Sequence, residues 1–292
     1  MKHLITADWH LRETVPSCVN ANQTEWMNIQ REAVSKVAEI AIENNVVAVF
    51  VGGDIFHSDA STSFACIQIF QDFACLLNKH GIAVYILAGN HDLQQHSSSN
   101  LDISAIGVLL KSKYILNMSD CDFCKGCNFD IEDYGDSEVI FKHTLTMPKD
   151  VAEANPFVKC ETPESLLEKY PSAKYIYTGD YHKNFSFEEN GRRVINSGCL
   201  TIQASDMIGY ETGVYVVDTE NDSVSWFKVS VSQKFIENNK KEKTDKSIDD
   251  FVNGIQKSTV TLDFINTLRN EIPKQKEPVQ KKVECWIEEI GQ

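Results

Sequence analysis

The sequence predicts an α/β chain: a layered fold of β-sheet flanked by helices, ending in a small C-terminal appendage. Three observations predict it. Continuous apolar runs alternate with amphipathic helical stretches through the first part of the chain. Shorter segments of strand character replace them after residue 113. A polar, lysine-rich stretch over residues 238–246 then reads as a linker, leaving a unit of about 45 residues, too small to be stable unless it packs on the rest.

Taken in order, residues 2–7 read as a strand, and residues 25–44 as an amphipathic helix with apolar positions at Val34, Val37, Ile40 and Ala41. Residues 46–51 are uninterruptedly apolar and end at Gly52-Gly53, which describes a strand buried on both faces. A second helix is expected over residues 63–80, stopped by Gly81. Residues 83–88 are the next buried strand, closed by Gly89. This β-α-β-α-β order with short loops makes the three strands sheet neighbours joined by helical crossovers. Further strands are expected over residues 114–118, 138–143, 174–178, 192–196, 213–218 and 223–229, with Asn190-Gly191 marking a tight hairpin. The expected division is a main domain over residues 1–230 and a small unit over residues 231–292.

The 292 residues include 42% hydrophobic and 24% charged side chains, the composition of a soluble globular protein with enough material for a sizeable core. No apolar run approaches the ~20 residues of a membrane span. The apolar stretch at the N-terminus is too short for a signal peptide, so the nine cysteines read as reduced thiols in the cytoplasm rather than as a disulfide framework. Net charge is −14, and the acidity is concentrated before residue 228. A nucleic-acid binder usually carries a basic footprint. A role on DNA therefore requires bound divalent cations or a basic partner to offset this deficit.

The chemistry-bearing residues fall at strand ends. Asp8-Trp9-His10 follows the first strand, Asp54 the second, and Asn90-His91-Asp92 the third. His143 ends a later strand, and Asp180-Tyr181-His182 follows another. Each alone has a bland reading. Asp8 would cap a helix, Gly53-Asp54 and Gly89-Asn90 would be turns, and His143 would be a hydrogen-bonded core histidine. The bland readings do not account for all of them at successive strand ends, where ligands bind in an open α/β sheet. Carboxylate, imidazole and amide oxygen together suit divalent Mn, Fe, Zn or Mg.

Asp8-x-His10, Gly53-Asp54, Gly89-Asn90-His91-Asp92, His143 and Gly179-x-x-His182 resemble, in order and spacing, the five-motif signature of the calcineurin-like metallophosphoesterases. The resemblance spans about residues 1 to 230 and implies the layered metallophosphoesterase fold, a β-sheet sandwich flanked by helices. Gly53-Asp54-Ile55-Phe56-His57 is similar to the DNA-repair exonuclease branch, which contains the bacterial SbcD nuclease subunit and phage recombination nucleases. Residues 196–201 resemble a segment that follows the active site in that branch. By this resemblance Asp8, His10 and His182 hold one metal, Asp54 bridges two, and Asn90 and His143 hold the second. His91 acts on the substrate, Asp92 either orients His91 or caps the following helix, and His57 guides DNA. The family usually has Gly-His-x-His where this chain has Gly179-Asp180-Tyr181-His182, so Asp180 fills the position of the usual second-metal histidine. A carboxylate ligates the harder ions well.

The resemblance implies a DNA exonuclease with endonuclease activity, using two divalent ions, manganese first and magnesium, iron or zinc as alternatives. Its expected partners are DNA and an SMC-like ABC ATPase of the SbcC type, with a homodimer also conceivable and no membrane. Because few residues follow position 230, it resembles a compact or phage-like version, working in the host cytoplasm if phage-encoded. Two rival readings keep the fold: a phosphoesterase for monoesters, cyclic nucleotides or phosphoproteins, and a non-catalytic scaffold. Cys121-x-x-Cys124-x-x-Cys127 with Cys160 has structural zinc as an alternative to free thiols, the default.

Overall fold

The computed structural model describes residues 1–58, 62–126 and 135–236. Strand β1 (Lys2–Thr6) leads to helix α1 (Gln23–Glu43), strand β2 (Ala48–Gly52), helix α2 (Phe64–Lys79) and strand β3 (Ala83–Leu87). The short helix α3 (Ala105–Leu110) precedes two-residue strands β4 (Leu116–Asn117) and β5 (Lys125–Gly126). Then come β6 (Val139–His143), short helices α4 (Lys149–Ala154) and α5 (Pro163–Lys169), β7 (Tyr175–Gly179), β8 (Phe185–Glu189), β9 (Arg192–Asn196), β10 (Gly213–Asp218) and β11 (Ser223–Lys228).

The strands form two sheets, ordered β11-β10-β1-β2-β3-β4 and β5-β6-β7-β9-β8. Strands β1, β2 and β3 are parallel neighbours, as the alternation of strand and helix requires. In the second sheet β6 and β7, and β7 and β9, are also parallel.

Period-two alternation explains the layering. On β2, Val49 and Val51 pack with α1 and α2, while Ala48 and Phe50 face the second sheet. Ile140 and Ile176 pack with Leu166 and Leu167 of α5, whereas Phe141 and Tyr177 face inward. Phe50 meets Phe141 at 4.9 Å between ring centroids, and Phe141 meets Tyr177 at 4.6 Å. The result is two sheets packed face to face with helices outside. Truncating a fully buried ring such as Phe50 to alanine would cost about 3–5 kcal/mol. His3 is buried in this apolar layer and bonds Tyr177 Oη at 2.9 Å. Burial holds its pKa down to about 4.

Helix α1 begins two residues before the expected start because Asn22 and Glu25 close a capping box. Strand β8 was given no range from the sequence, although the expected Asn190-Gly191 hairpin implies a strand before it: among the described residues its Phe-Ser-Phe-Glu-Glu segment is an edge strand paired with β9 across that hairpin. Helices α4 and α5 were also missed, being only 6 and 7 residues long, too short for a helical period to show. Residues 231–236, expected in the appendage, pair with the loop before α1, where Asn20 N–H donates to Lys234 O at 2.8 Å and Ile236 N–H to Cys18 O at 2.9 Å. The rest of the expected appendage lies outside the described residues. Among the described residues no helix is long and apolar enough to cross a membrane.

Candidate active site

Because β1, β2 and β3 are parallel, their carboxyl ends open on one rim, and β6 and β7 deliver theirs to the same rim. Each motif alternates between core and site. Trp9 is buried against Phe70 and Phe73 at 5.2 and 5.1 Å, so Asp8 and His10 on either side of it turn into the rim. Ile55 and Phe56, fully buried, anchor Asp54 in the same way. The backbone adopts left-handed φ at Asp8 (53°), His10 (46°), Asp54 (50°) and Asp180 (76°). Non-glycine residues seldom hold that conformation, and where they do it tends to mark a functional site.

These side chains converge. The ligand atoms of Asp8, His10 and His182 lie within 4.8 Å of one another, and so do those of Asp8, Asp54 and His143. His10 Nε2 is 2.9 Å from His182 Nε2 and 3.7 Å from Asp54 Oδ2. His143 Nε2 is 3.3 Å from Asp54 Oδ1 and 3.0 Å from Asn90 Oδ1. Asp8 is common to both groups, and Asp54 lies within reach of His10 as well as His143. Asp180 reaches the centre through its main chain, with its N–H donating to Asp8 at 2.9 and 3.2 Å. Its carboxylate belongs to none of the compact ligand groups found among the described residues.

The approach of backbone to site leaves no room for side chains at two glycines. A Cβ on Gly89 would sit 2.2 Å from Asp54 Oδ1, and one on Gly53 would sit 2.3 Å from His143 Nδ1.

Burial and crowding set the charges. Burial pushes Asp8 up to about 8, with the Asp54 and Asp180 carboxylates adding to the effect. Burial would also raise Asp54, but the neighbouring His143 outweighs it and holds Asp54 below the usual carboxylate range. His143, which burial alone would lower, is lifted to about 10 by Asp54 and Asp8. His10 and His182 are lowered, chiefly by burial. Asp54 Oδ2 is buried without a hydrogen-bond partner, a lone pair that a cation would satisfy. The donor set and this orphaned oxygen together fit divalent metal ions.

His91 lies beside the cluster. Its Nδ1–H donates to the His57 carbonyl at 2.7 Å, and its main-chain N–H to Asp54 Oδ1 at 3.0 Å. The ligand atoms of His10, His57 and His91 also lie within 4.8 Å of one another. Asp92 is fully buried and accepts from the main-chain N–H of Gly89, Ile55 and Phe56 at 3.0, 3.2 and 2.9 Å. It ties the loops after β2 and β3 together and supports His91 through the backbone; no hydrogen bond runs between Asp92 and the His91 ring. Of the sulfur atoms, Cys121, Cys124 and Cys160 are free thiols and Cys127 lies outside the described residues. No candidate metal group among the described residues includes a cysteine.

Sequence reasoning missed Arg12 and Gln203. Arg12 Nη1 donates to His57 Nε2 at 2.7 Å and Nη2 to Gln203 Oε1 at 2.8 Å. The available signal was Arg12 two positions after His10, the one Lys or Arg between residues 3 and 30.

Over 94 residues the chain is 33% identical to the DNA double-strand break repair protein Mre11 of Nanoarchaeum equitans (strain Kin4-M), a stretch covering 32% of this chain and 26% of that protein. The match therefore spans about a quarter of that relative's length. Among solved structures, a novel archaeal phosphodiesterase is similar at 17% identity and a TM-score of 0.42, covering 78% of this chain and 99% of that one. Wild-type Vps29 from Entamoeba histolytica, complexed with zinc, is similar at 12% identity and a TM-score of 0.39, covering 81% and 98%. The family model described as calcineurin-like phosphoesterase matches residues 1–184. That stretch holds β1 to β7 and every candidate site residue from Asp8 to His182, and the chain belongs to the calcineurin-like phosphoesterase family.

Proposed function

We propose that this phosphoesterase is a two-metal nuclease that hydrolyses DNA phosphodiesters from strand ends, with some endonuclease activity, as the nuclease subunit of an SbcCD-type repair or recombination complex. The observation that carries the reading is His57. The motif that resembles the repair branch ends on this residue, and its imidazole stands within the His10–His91 cluster. The 94-residue likeness to a DNA double-strand break repair protein supports a DNA substrate.

Asp8, His10 and His182 would hold one ion, Asp54 would bridge, and Asn90, His143 and Asp180 would hold the other. When bound, two such ions, manganese first, would supply a lowered pKa for an attacking water and positive charge for the phosphoryl oxygens. The remaining work falls to the chain. His91, its Nδ1–H fixed on the His57 carbonyl, keeps Nε2 for the proton that the leaving alkoxide needs. Asp92 holds the loop that carries Asn90 and His91. Burial of Asp8, Asp54 and His10 keeps bulk water from screening the centre. Residues 1–230 form the nuclease domain in this reading and residues 231–292 a capping or partner-docking segment.

The acidity of the chain fits a division of labour in which an SMC-like ABC ATPase supplies DNA binding. DNA affinity of the chain alone is then weak, and activity rises with the ATPase. Nanomolar, salt-sensitive binding by the isolated chain would contradict this. The direct test of the function is manganese-dependent digestion of end-labelled duplex and single-stranded DNA, beside p-nitrophenyl phosphate and cyclic nucleotides. Nucleotide release from DNA ends supports the reading. Intact DNA, with and without a cognate ATPase, beside rapid cleavage of a monoester or cyclic nucleotide, defeats it.

A further inference from the structure

Arg12 is held where a flexible surface arginine would not be. Its N–H donates to Gln30 Oε1 at 3.0 Å, and its carbonyl accepts from Trp26 Nε1 at 3.0 Å and Gln30 Nε2 at 2.8 Å. Trp26 and Gln30 are both buried on α1. The guanidinium reaches the site from this braced backbone and, among the described residues, hydrogen-bonds His57 and Gln203. Its Nε is buried without a partner, and no carboxylate pairs with it among the described residues. In a chain with 42 acidic and 28 basic side chains, a half-buried cation with no counter-charge among the described residues is costly. The fork of a guanidinium matches a phosphate.

The position selects which phosphate. One imidazole, that of His57, separates Arg12 from the reacting centre, with His57 at 5.5 Å from His10 and 5.7 Å from His91 between ring centroids. Arg12 therefore stands one ring's width beyond the atoms that would flank the reacting phosphorus. On a nucleic-acid strand the next group of suitable charge along the backbone is the neighbouring phosphate.

We propose that Arg12 is a substrate-binding residue that takes the phosphate next to the scissile one, so that the site prefers a polynucleotide strand to an isolated phosphodiester. The inference rests on the reading of the site as a DNA phosphodiesterase. The Arg12–His57 bond holds the guanidinium ready, and incoming phosphate supplies the missing counter-charge.

The test compares wild type, Arg12→Ala and Arg12→Lys on a thymidine oligonucleotide and on bis-p-nitrophenyl phosphate, which has no flanking phosphate, across a salt series. In Arg12→Ala, KM for the oligonucleotide should rise about tenfold more than KM for the small diester, the scale of a charge-assisted contact. Arg12→Lys, which keeps the charge without the fork, should fall between. The dependence of log KM on log salt should flatten in Arg12→Ala by about one phosphate contact, which a merely structural loss would not do. Equal losses on both substrates, or an unchanged salt slope, overturn the proposal and make Arg12 a brace for His57. If Arg12→Ala does not fold, Arg12→Lys decides, and no selective rise in oligonucleotide KM overturns it. Wild type that cleaves bis-p-nitrophenyl phosphate but neither binds nor cuts the oligonucleotide overturns the DNA reading and the proposal with it. Wild type that cuts the oligonucleotide, with Arg12 indifferent, overturns the proposal alone.

Discussion

On the first sheet, the loops that carry the site hydrogen-bond to one another. Asp8 N–H donates to Gly53 O, His10 N–H to Asp54 O and Leu11 N–H to Ile55 O, at 3.0, 3.0 and 2.9 Å, and Asp92 joins the loops after β2 and β3. The second sheet braces its own loop around His182: Asn196 Nδ2 donates to Tyr181 O and Lys183 O at 2.5 and 2.9 Å, and Cys199 N–H to His182 O at 3.0 Å. His143 is held through Nδ1 by the Gly52 carbonyl at 2.8 Å, and Asp180 through its N–H by Asp8. His143 and Asp180 thus lean on the first sheet, whereas His182 is held within the second. The site is a joint between sheets: each candidate ligand group draws on both, so damage to the loops of either sheet should impair both groups.

Asp54 is the sharpest way to break that joint, since it lies 3.7 Å from His10 Nε2 and 3.3 Å from His143 Nε2. Asp54→Asn should abolish activity and remove both ions, read by elemental analysis of the purified protein. Retention of two ions would show that the halves are independent. His91→Ala should keep both ions and the fold yet lower kcat on DNA by about 10²–10⁴-fold, the usual contribution of general acid catalysis. The loss should shrink with bis-p-nitrophenyl phosphate, whose phenolate leaves without a proton. Equal losses on the two substrates would remove His91 from that role.

Gly89→Ala tests the first-sheet loop mesh without replacing a candidate ligand. Its Cβ would press on Asp54 Oδ1, and displacement of a reacting group by about 1 Å costs on the order of 10²-fold. Activity at wild-type level in a folded Gly89→Ala protein would contradict the tight approach. On the second sheet, Asp180→Ala should lower occupancy at one site only, while Asp180→His should keep two ions with a shift in metal preference toward softer ions. Full occupancy in Asp180→Ala, measured by crystallography with manganese, would reduce Asp180 to its main-chain bond with Asp8.

Much of this was legible in the sequence because each first-sheet motif is contiguous with the strand that delivers it. Asp8, His10, Asp54, Asn90 and His91 need only a strand, a turn and parallel pairing. Their neighbours Trp9, Ile55 and Phe56 advertise the core-to-site alternation. Arg12 was not legible, since its importance comes from Gln30 and Trp26 fixing its backbone from a helix 14 to 18 residues away. Asp92 could be named but not placed: only the fold shows its carboxylate closing three backbone N–H groups rather than turning His91. The holding of His143 by Gly52, across 91 residues, has no local signal. Edge strand β8 has only Phe185 and Phe187 against the core, with Ser186, Glu188 and Glu189 exposed, so its apolar signal is short.

A smaller effect sharpens the electrostatics. Without metal, Asp8 with a pKa raised to about 8 and His143 raised to about 10 both carry protons at neutral pH. Metal ligation requires both to lose them, so manganese uptake near pH 7 should release about two protons and tighten as pH rises through Asp8's range. Calorimetry in buffers of different ionisation enthalpy reads the number directly. Zero proton release would mean that neither group ligates.

The central claim is that Asp54 joins two metal sites, one completed by His182 and the other by His143, at the junction of the sheets. Anomalous diffraction from crystals grown with manganese measures this directly. Two peaks about 3.5–4 Å apart, sharing Asp54, with one against Asp8, His10 and His182 and the other against Asn90 and His143, are the expected result. A single peak, or two ions that do not share Asp54, would contradict it.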